Sequence, residues 1–304
     1  VYVPVGIFAI LRAARILPAE QRRAGQAFDL RGAALSSSAV FALLLALING
    51  QSWGWSSAPT LGLLAAFVII GALFLRVETR AVQPMIDLAL FRIRAFSAGL
   101  ASLVIVFSGL FTATFLLPFL LQQGSSFTPL EAGLLLTPIP ITTALVAPFS
   151  GALSDRIGSR LPASAGIAIM ALGLLSLTEL PAAFAIPDLV WRLVLVGLGQ
   201  GLFMSPNSSA ILGSVPRKRI GTASGTLAQM RVTGQALGIA ISGAIVAIRL
   251  PVHEAALAGE GSAAAGQALA MAIQDAFIVA ALLCGIGIVT SAMRGGPAGG
   301  EGTG

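Results

Sequence analysis

Charged and polar side chains are scarce in this chain, so the places where they gather carry most of its chemical information. One such place is 151-GALSDRIGSR-160, which sets an acid, two arginines and two glycines between two long apolar runs. Asp155 can cap or face the positive N-terminal end of a helix. Arg156 and Arg160 can pair with acids or with last-turn carbonyls. Gly158 permits a backbone with φ > 0, and Gly151 permits close helix contact. An ordinary basic loop would need only the arginines; the ordered G-x-x-x-D-R-x-G-x-R asks for more. A second set lies inside the apolar runs: Gln200, Asn207, Gln229, Arg231 and Gln235. Ionisable groups at such depth are costly and usually face a cavity or a partner, which makes these five candidates for lining one. Arg231 keeps two readings. It lines a cavity, or its helix starts near Gly221 and the side chain snorkels to the interface.

Covalent and metal chemistry find little to work with. There is one Cys, Cys284, inside an apolar run, which leaves no disulfide framework and no thiolate metal site. The one His, His253, falls in a Gly/Ala-rich stretch and reads as a solvated loop residue. The glycines of 197-GLGQG-201 do not match G-x-G-x-x-G and sit in an apolar run, not after a strand. The segment 221-GTASG-225 is not the G-x-S-x-G nucleophile elbow. Asn207-Ser208-Ser209 matches a glycosylation acceptor but lies within a span. No P-loop is present. A membrane-embedded enzyme should cluster His, Asp or Ser within its spans, and this chain does not. The expectation is no enzyme, no cofactor and no metal.

The elements that position these residues follow from composition. Of 304 residues 56% are apolar and 10% charged, against about 25% charged in a soluble domain. The class is an all-α integral membrane protein. Uncharged runs long enough to cross a ~30 Å hydrocarbon core recur at 95–121, 132–154, 161–178, 193–216, 232–248 and 276–293. The stretch 32–75 is divided by 49-NGQSWGWSSAP-59, whose two Trp suit a hairpin tip at the interface. That gives eight full spans.

Alternate loops at 12–31, 76–94, 155–160, 217–219 and the tail from Arg294 hold 15 Lys/Arg. The opposite loops hold only Arg192 and Arg249. This is a positive-inside pattern with a cytoplasmic C-terminus. The arginines lie in short loops without aromatic interleaving, so nucleic acid is not the partner; the lipid bilayer is. Glu131, Glu179 and Asp188 sit near outer helix ends and Asp275 at the edge of its run, with no acid clearly at mid-membrane.

Pro118, Pro138, Pro140, Pro148 and Pro206 should kink their spans. Glycines at close-approach spacing in 197-GLGQG-201, Gly221/Gly225 and Gly234/Gly238 should let helices touch. The outer loop 250–267 and the tail 295–304 are Gly/Ala-rich and expected to be mobile. At the other end, 1-VYVPVGIFAIL-11 is half a span without an initiator Met and reads as the end of a truncated helix.

The loop 151–160 resembles the second, weaker copy of the G-x-L-x-D-R-x-G-R signature of the major facilitator superfamily; Ser159 departs from the basic residue common there. The stretches 116-LLPFLLQQGSSFTPLEAGLLLTP-138 and 198-LGQGLFMSPNSSAILGSVPRKRIGTASGTLAQMRVTGQALG-238 are similar to spans 7–8 and 10–11 of its fourteen-span drug:proton antiporters. The resemblance implies the C-terminal six-helix half of a major facilitator fold (95–294), plus two extra linker spans in 32–94 and the tail of span 6 within 1–31. It implies alternating access, with Gly151, Asp155, Arg156, Gly158 and Arg160 as a cytoplasmic gating loop. It also implies export of hydrophobic or amphiphilic compounds, driven by a proton gradient. A first six-helix half would carry the antiporter signature and the main proton-carrying acids. A metabolite or self-made antibiotic is the alternative cargo. The skew to Arg over Lys with abundant Ala and Gly points to a GC-rich bacterial gene and a bacterial plasma membrane.

Overall fold

The computed structural model describes residues 12, 30–54, 56–80, 87–125, 127–181, 184–258 and 264–293. The expected end of span 6 within 1–31 and the tail 295–304 therefore lie outside the described residues, apart from Arg12 and the first turn of the next helix. Among those described, structure is helical and no strand occurs.

The hairpin consists of α1 (Leu30–Trp53) and α2 (Ala58–Glu78). Gly54 turns the chain with φ +89, a conformation that needs glycine. Ser57 then starts α2, its side chain accepting from the Thr60 N–H with Pro59 in the first turn. α3 (Arg94–Phe119) follows a short 3₁₀ turn, Leu88–Arg92. Pro118, lacking an N–H, lies just before the helix widens into a π turn at Leu120–Gly124. α4 (Pro129–Leu135) opens on a reciprocal cap: Thr128 Oγ1 accepts from the Glu131 N–H, and the Glu131 carboxylate accepts from the Thr128 N–H. Glu131 is thus a capping residue. Pro138 starts a new helix, α5 (Pro138–Ile157), so one crossing is built from two helical pieces broken at Leu136–Thr137.

The remaining helices are α6 (Arg160–Thr178), α7 (Ile186–Gly213), α8 (Ile220–Ala256) and α9 (Ala264–Ala292). α7 packs along both α6 and α5, α3 along α8, and α9 against α6, α3 and α8; α1 joins the hairpin to α8. Phe96, Leu103, Ile167, Met170, Phe203 and Phe277 fill the centre. Outside, Val68, Ile69, Leu172 and Leu282 stand exposed, as in a chain whose outer surface faces hydrocarbon. Seven helices among the described residues are long and apolar enough to cross a membrane. The described apolar stretch of α1, Arg31–Ala46, is shorter than the rest.

Three expectations need correction. The stretch 250–267 is not a loop throughout: α8 runs to Ala256 and α9 starts at Ala264. Arg192 and Arg249 are not loop residues but lie inside α7 and α8. Counting uncharged runs stops each span at its first arginine, whereas the helical hydrogen-bond ladder continues past it. The Gly221/Gly225 pair does not mark a close approach, since an added Cβ would meet nothing within 4 Å at either site.

Candidate functional site

The turn 151–160 forms where α5 ends and α6 begins. Gly158 closes α5 with φ +83, and its N–H donates to the Ser154 carbonyl. Asp155 sits in the last turn of α5 and does not cap α6, whose N-cap is Ser159 without a side-chain bond. Asp155, Arg156 and Arg160 are all exposed, and none joins an ion pair among the described residues. The expected pairing of these arginines is therefore absent within the described bundle. Gly151 lies where a Cβ would come 3.0 Å from Ser205 Oγ, so α5 and α7 nearly touch just above the turn.

α7 is positioned by its glycines, which alternate in what they meet. A Cβ at Gly197 would lie 2.6 Å from the Ile139 carbonyl, and one at Gly201 would lie 2.8 Å from Val146 Cβ, both on α5. Gly199 between them faces α6 instead, 2.5 Å from the Met170 nitrogen. This close fit brings Thr143 Oγ1 to 3.1 Å from the Gly197 carbonyl and 3.0 Å from Gln200 Oε1. Ser150 donates to the Leu202 carbonyl at 2.8 Å. Gln200 is thereby committed to α5.

Asn207, also on α7, is fully buried and faces α3, where a Cβ at Gly99 would lie 3.5 Å from its Oδ1. Neither amide atom of Asn207 has a hydrogen-bond partner among the described residues. Amides buried without partners are costly, on the order of 1–3 kcal/mol.

α8 begins at Ile220, which puts Arg231 about 16 Å along the helix at ~1.5 Å per residue. Its guanidinium lies over the Phe107 ring of α3, 5.4 Å from the centroid, and its Nε is buried without a partner among the described residues. A cation on an aromatic face recovers part of its lost hydration. Gln229 and Gln235 are half-buried on the same helix. Of the five polar candidates, Gln200 therefore meets α5, while Asn207 and Arg231 meet α3.

Sequence reading missed three arrangements. Arg192 is buried near the start of α7, its NH1 donating to the Asp188 carbonyl and its guanidinium over Trp191 at 4.8 Å. Asp87 caps the 3₁₀ turn before α3 and receives Arg219 at 2.5 Å. His253 is not a solvated loop residue; it is buried in the last turn of α8, with Nε2 2.7 Å from Asp275 Oδ2. The second and third leave no local signal, because Asp87–Arg219 and His253–Asp275 each join residues from different elements. Among the described residues no group of His, Cys, Asp and Glu is suited to a metal ion.

The family pattern of the Major Facilitator Superfamily matches residues 6–239. The "Uncharacterized transporter YebQ" of Escherichia coli K12 is 39% identical over 240 residues, 79% of this chain and 52% of the relative. The "Multidrug resistance protein Stp" of Mycobacterium tuberculosis is 36% identical over 220 residues, 72% of this chain and 41% of the relative. The "Tetracenomycin C resistance and export protein" of Streptomyces glaucescens is 33% identical over 249 residues, 82% of this chain and 46% of the relative. The chain spans about half the length of the curated relatives it matches.

Proposed function

The chain belongs to the major facilitator superfamily, and from that premise we propose that it is the C-terminal part of a fourteen-span, proton-coupled exporter of hydrophobic or amphiphilic compounds. The observation that carries this reading is the order of elements. A two-helix hairpin precedes a bundle in which α3 to α9 make six crossings. α5 turns Ile141, Leu145, Phe149 and Leu153 outward, directly above the unpaired Asp155, Arg156 and Arg160. In this reading that face and that turn meet a first six-helix half, and the charged turn makes and breaks its contacts as access alternates. Helices in such close backbone contact as α5, α6 and α7 suit motion as rigid bodies.

Arg231 on Phe107 and the half-buried Gln229 and Gln235 are the polar groups offered to a cargo, with protons as the coupling ion. The excess of Lys/Arg at the ends bearing the 155–160 and 217–219 turns supports a cytoplasmic C-terminus in a bacterial plasma membrane. A second reading, export of one metabolite or self-made antibiotic, is favoured by the relative named for tetracenomycin C.

Everted vesicles from cells expressing the protein from its own gene test both. Ethidium, tetraphenylphosphonium and tetracenomycin C are added in turn, and proton release is followed with a pH-sensitive dye. Release on addition of several compounds, abolished by nigericin and by Asp155→Asn, is the expected result. A response to tetracenomycin C alone selects the second reading. Transport indifferent to the proton gradient, or no transport above empty-vector vesicles for the whole panel, overturns the exporter.

A further inference from the structure

At the end of the bundle remote from the 151–160 turn, α8 and α9 border a groove of about 350 Å³, lined by Ile245, Ile248, Arg249, Asp275, Ile278 and Val279. Its lining is ordered by depth. On α8, Ile245 lies one turn deeper along the span than Arg249; on α9, Ile278 and Val279 lie one turn deeper than Asp275. Both charged residues thus stand at the mouth, and aliphatic walls lead inward from them. Asp275 is about 26 Å from the far end of α9 at Ala292, at ~1.5 Å per residue. A hydrocarbon core is ~30 Å deep, so the mouth falls near headgroup level and the walls fall at acyl-chain level.

The groove opens on the outer surface. Ile248 and Ile278 are exposed, and α9 continues the same apolar face with Leu282, Ile286 and Val289, as on a surface that meets hydrocarbon. A cleft with this order of polarity suits an amphiphile aligned like the bilayer's own lipids, chain along the isoleucines and polar end on the charged pair. Its volume is near the low end for ligand sites, roughly 300–1,000 Å³, which suits part of one chain with the rest left in the bilayer.

The charged pair decides which polar end fits. Arg249 Nε donates to Asp275 Oδ2 at 2.6 Å, and the buried His253 brings Nε2 to 2.7 Å from the same oxygen. Both contacts fall on one carboxylate oxygen. Among the described residues, the terminal amino groups of Arg249 and Oδ1 of Asp275 make no hydrogen bond, and both side chains are partly exposed. A guanidinium presents a fork of donors that fits a phosphate group. A carboxylate presents only acceptors, which a primary ammonium can satisfy and a quaternary one cannot. The two charges also cancel, so an anionic headgroup gains from Arg249 what it loses to Asp275. A headgroup with both a phosphate and a primary ammonium meets both members of the pair.

We infer that this groove is a binding site for a membrane phospholipid with a primary-ammonium headgroup, of the phosphatidylethanolamine type. Its phosphate rests on Arg249, its ammonium on Asp275 Oδ1, and one acyl chain follows Ile245, Ile248, Ile278 and Val279. His253 holds the other carboxylate oxygen and so keeps Oδ1 turned free.

This site asks nothing of the exporter reading, and its test reads lipid binding alone. The protein expressed from its own gene is purified in detergent, stripped of lipid and titrated with phosphatidylethanolamine, phosphatidylcholine or phosphatidylglycerol of matched chains. Native mass spectrometry counts the lipid bound at the tightest site. Phosphatidylethanolamine should bind about tenfold more tightly than the other two, the worth of one charge-assisted hydrogen bond. Asp275→Asn should abolish that preference and favour phosphatidylglycerol, because Arg249 is left unopposed. Arg249→Gln should weaken all three. Ile248→Trp, an outward-facing change that fills the groove and spares the ion pair, should block binding; Leu282→Trp, exposed but outside the groove, should not. Equal binding of the three headgroups, an equal loss of all three in Asp275→Asn, or indifference to Ile248→Trp overturns the site. A parent protein that retains no lipid also overturns it and identifies the groove as a face covered by the rest of the protein. Each result stands whether or not a transported compound is found.

Discussion

A Cβ added to Gly166 would lie 2.7 Å from the carbonyl oxygen of Gly199, and one added to Gly199 would lie 2.6 Å from that of Gly166. The two glycines thus admit each other's backbone, and the α6–α7 contact is set by both at once. Gly199→Ala or Gly166→Ala should force the helices apart and cost about 1–3 kcal/mol. Gly225→Ala, with open space around it, should be neutral or stabilise by up to ~1 kcal/mol through helix propensity. Thermal unfolding of the three variants in detergent checks the contrast, and equal effects would remove the reciprocal contact as its cause.

Among the described residues, Asn207 has nothing for its amide to bond. Asn207→Leu should therefore keep or raise the unfolding midpoint, since an unpaired buried polar group is replaced by a similar-sized apolar one. If the amide is kept for a cargo, the same variant should lose export while gaining stability. A variant that loses both would show that Asn207 has a partner in the whole protein.

Gly158 occupies a backbone region that L-residues avoid, with φ +83 and ψ 160. Gly158→Ala should cost on the order of 1–3 kcal/mol, read as a lower unfolding midpoint. Asp155→Asn, three residues earlier and exposed without an ion pair, should leave that midpoint unchanged. Equal losses from the two would mean that Asp155 has structural work inside the bundle.

Glu131 closes the reciprocal cap at the start of α4. Glu131→Gln preserves the hydrogen-bond geometry and should leave the denaturant midpoint nearly unchanged, whereas Glu131→Ala should lower it. Denaturant titration of the pair distinguishes capping from a role for the charge itself.

Much of the fold was legible because a bilayer imposes simple arithmetic. Runs such as 161–178 predict α6 almost to the residue, and 49–59 marks the hairpin turn through its Trp and Gly residues. GLGQG announced close packing, though not that Gly199 faces one neighbour and Gly197 and Gly201 another. Arginine misled the reading of length: α8 has 37 residues where the uncharged run suggested 17, because Arg231 and Arg249 are carried inside it. Glycine and alanine misled it at 250–267, where low side-chain information looked like a loop although alanine is the best helix former. The Arg249–His253–Asp275 cluster was hidden for a plainer reason. Its members come from two helices, and their pairing depends on how α8 and α9 rotate against each other, which a single sequence does not state.

The Asp87–Arg219 pair joins residues 132 positions apart at the base of the bundle, where it fastens the entrance of α3 to the entrance of α8. Higher up, the same two helices are locked by Gly234 and Gly238, whose carbonyls accept from Ser108 and Thr112. Two points of attachment along one pair of rods remove their freedom to swivel independently, so α3 and α8 form a single strut. Arg231 and Phe107 ride on that strut together and keep their spacing through any rocking. α4 and α5 meet elsewhere, at the Leu136–Thr137 turn, which backbone hydrogen bonds still span, from Leu136 and Thr137 to α4 and from Ile139 and Ile141 back to the turn. The bundle thus contains two struts, α3 with α8 and α5 with α6 and α7, and the charged 151–160 turn hangs from the second.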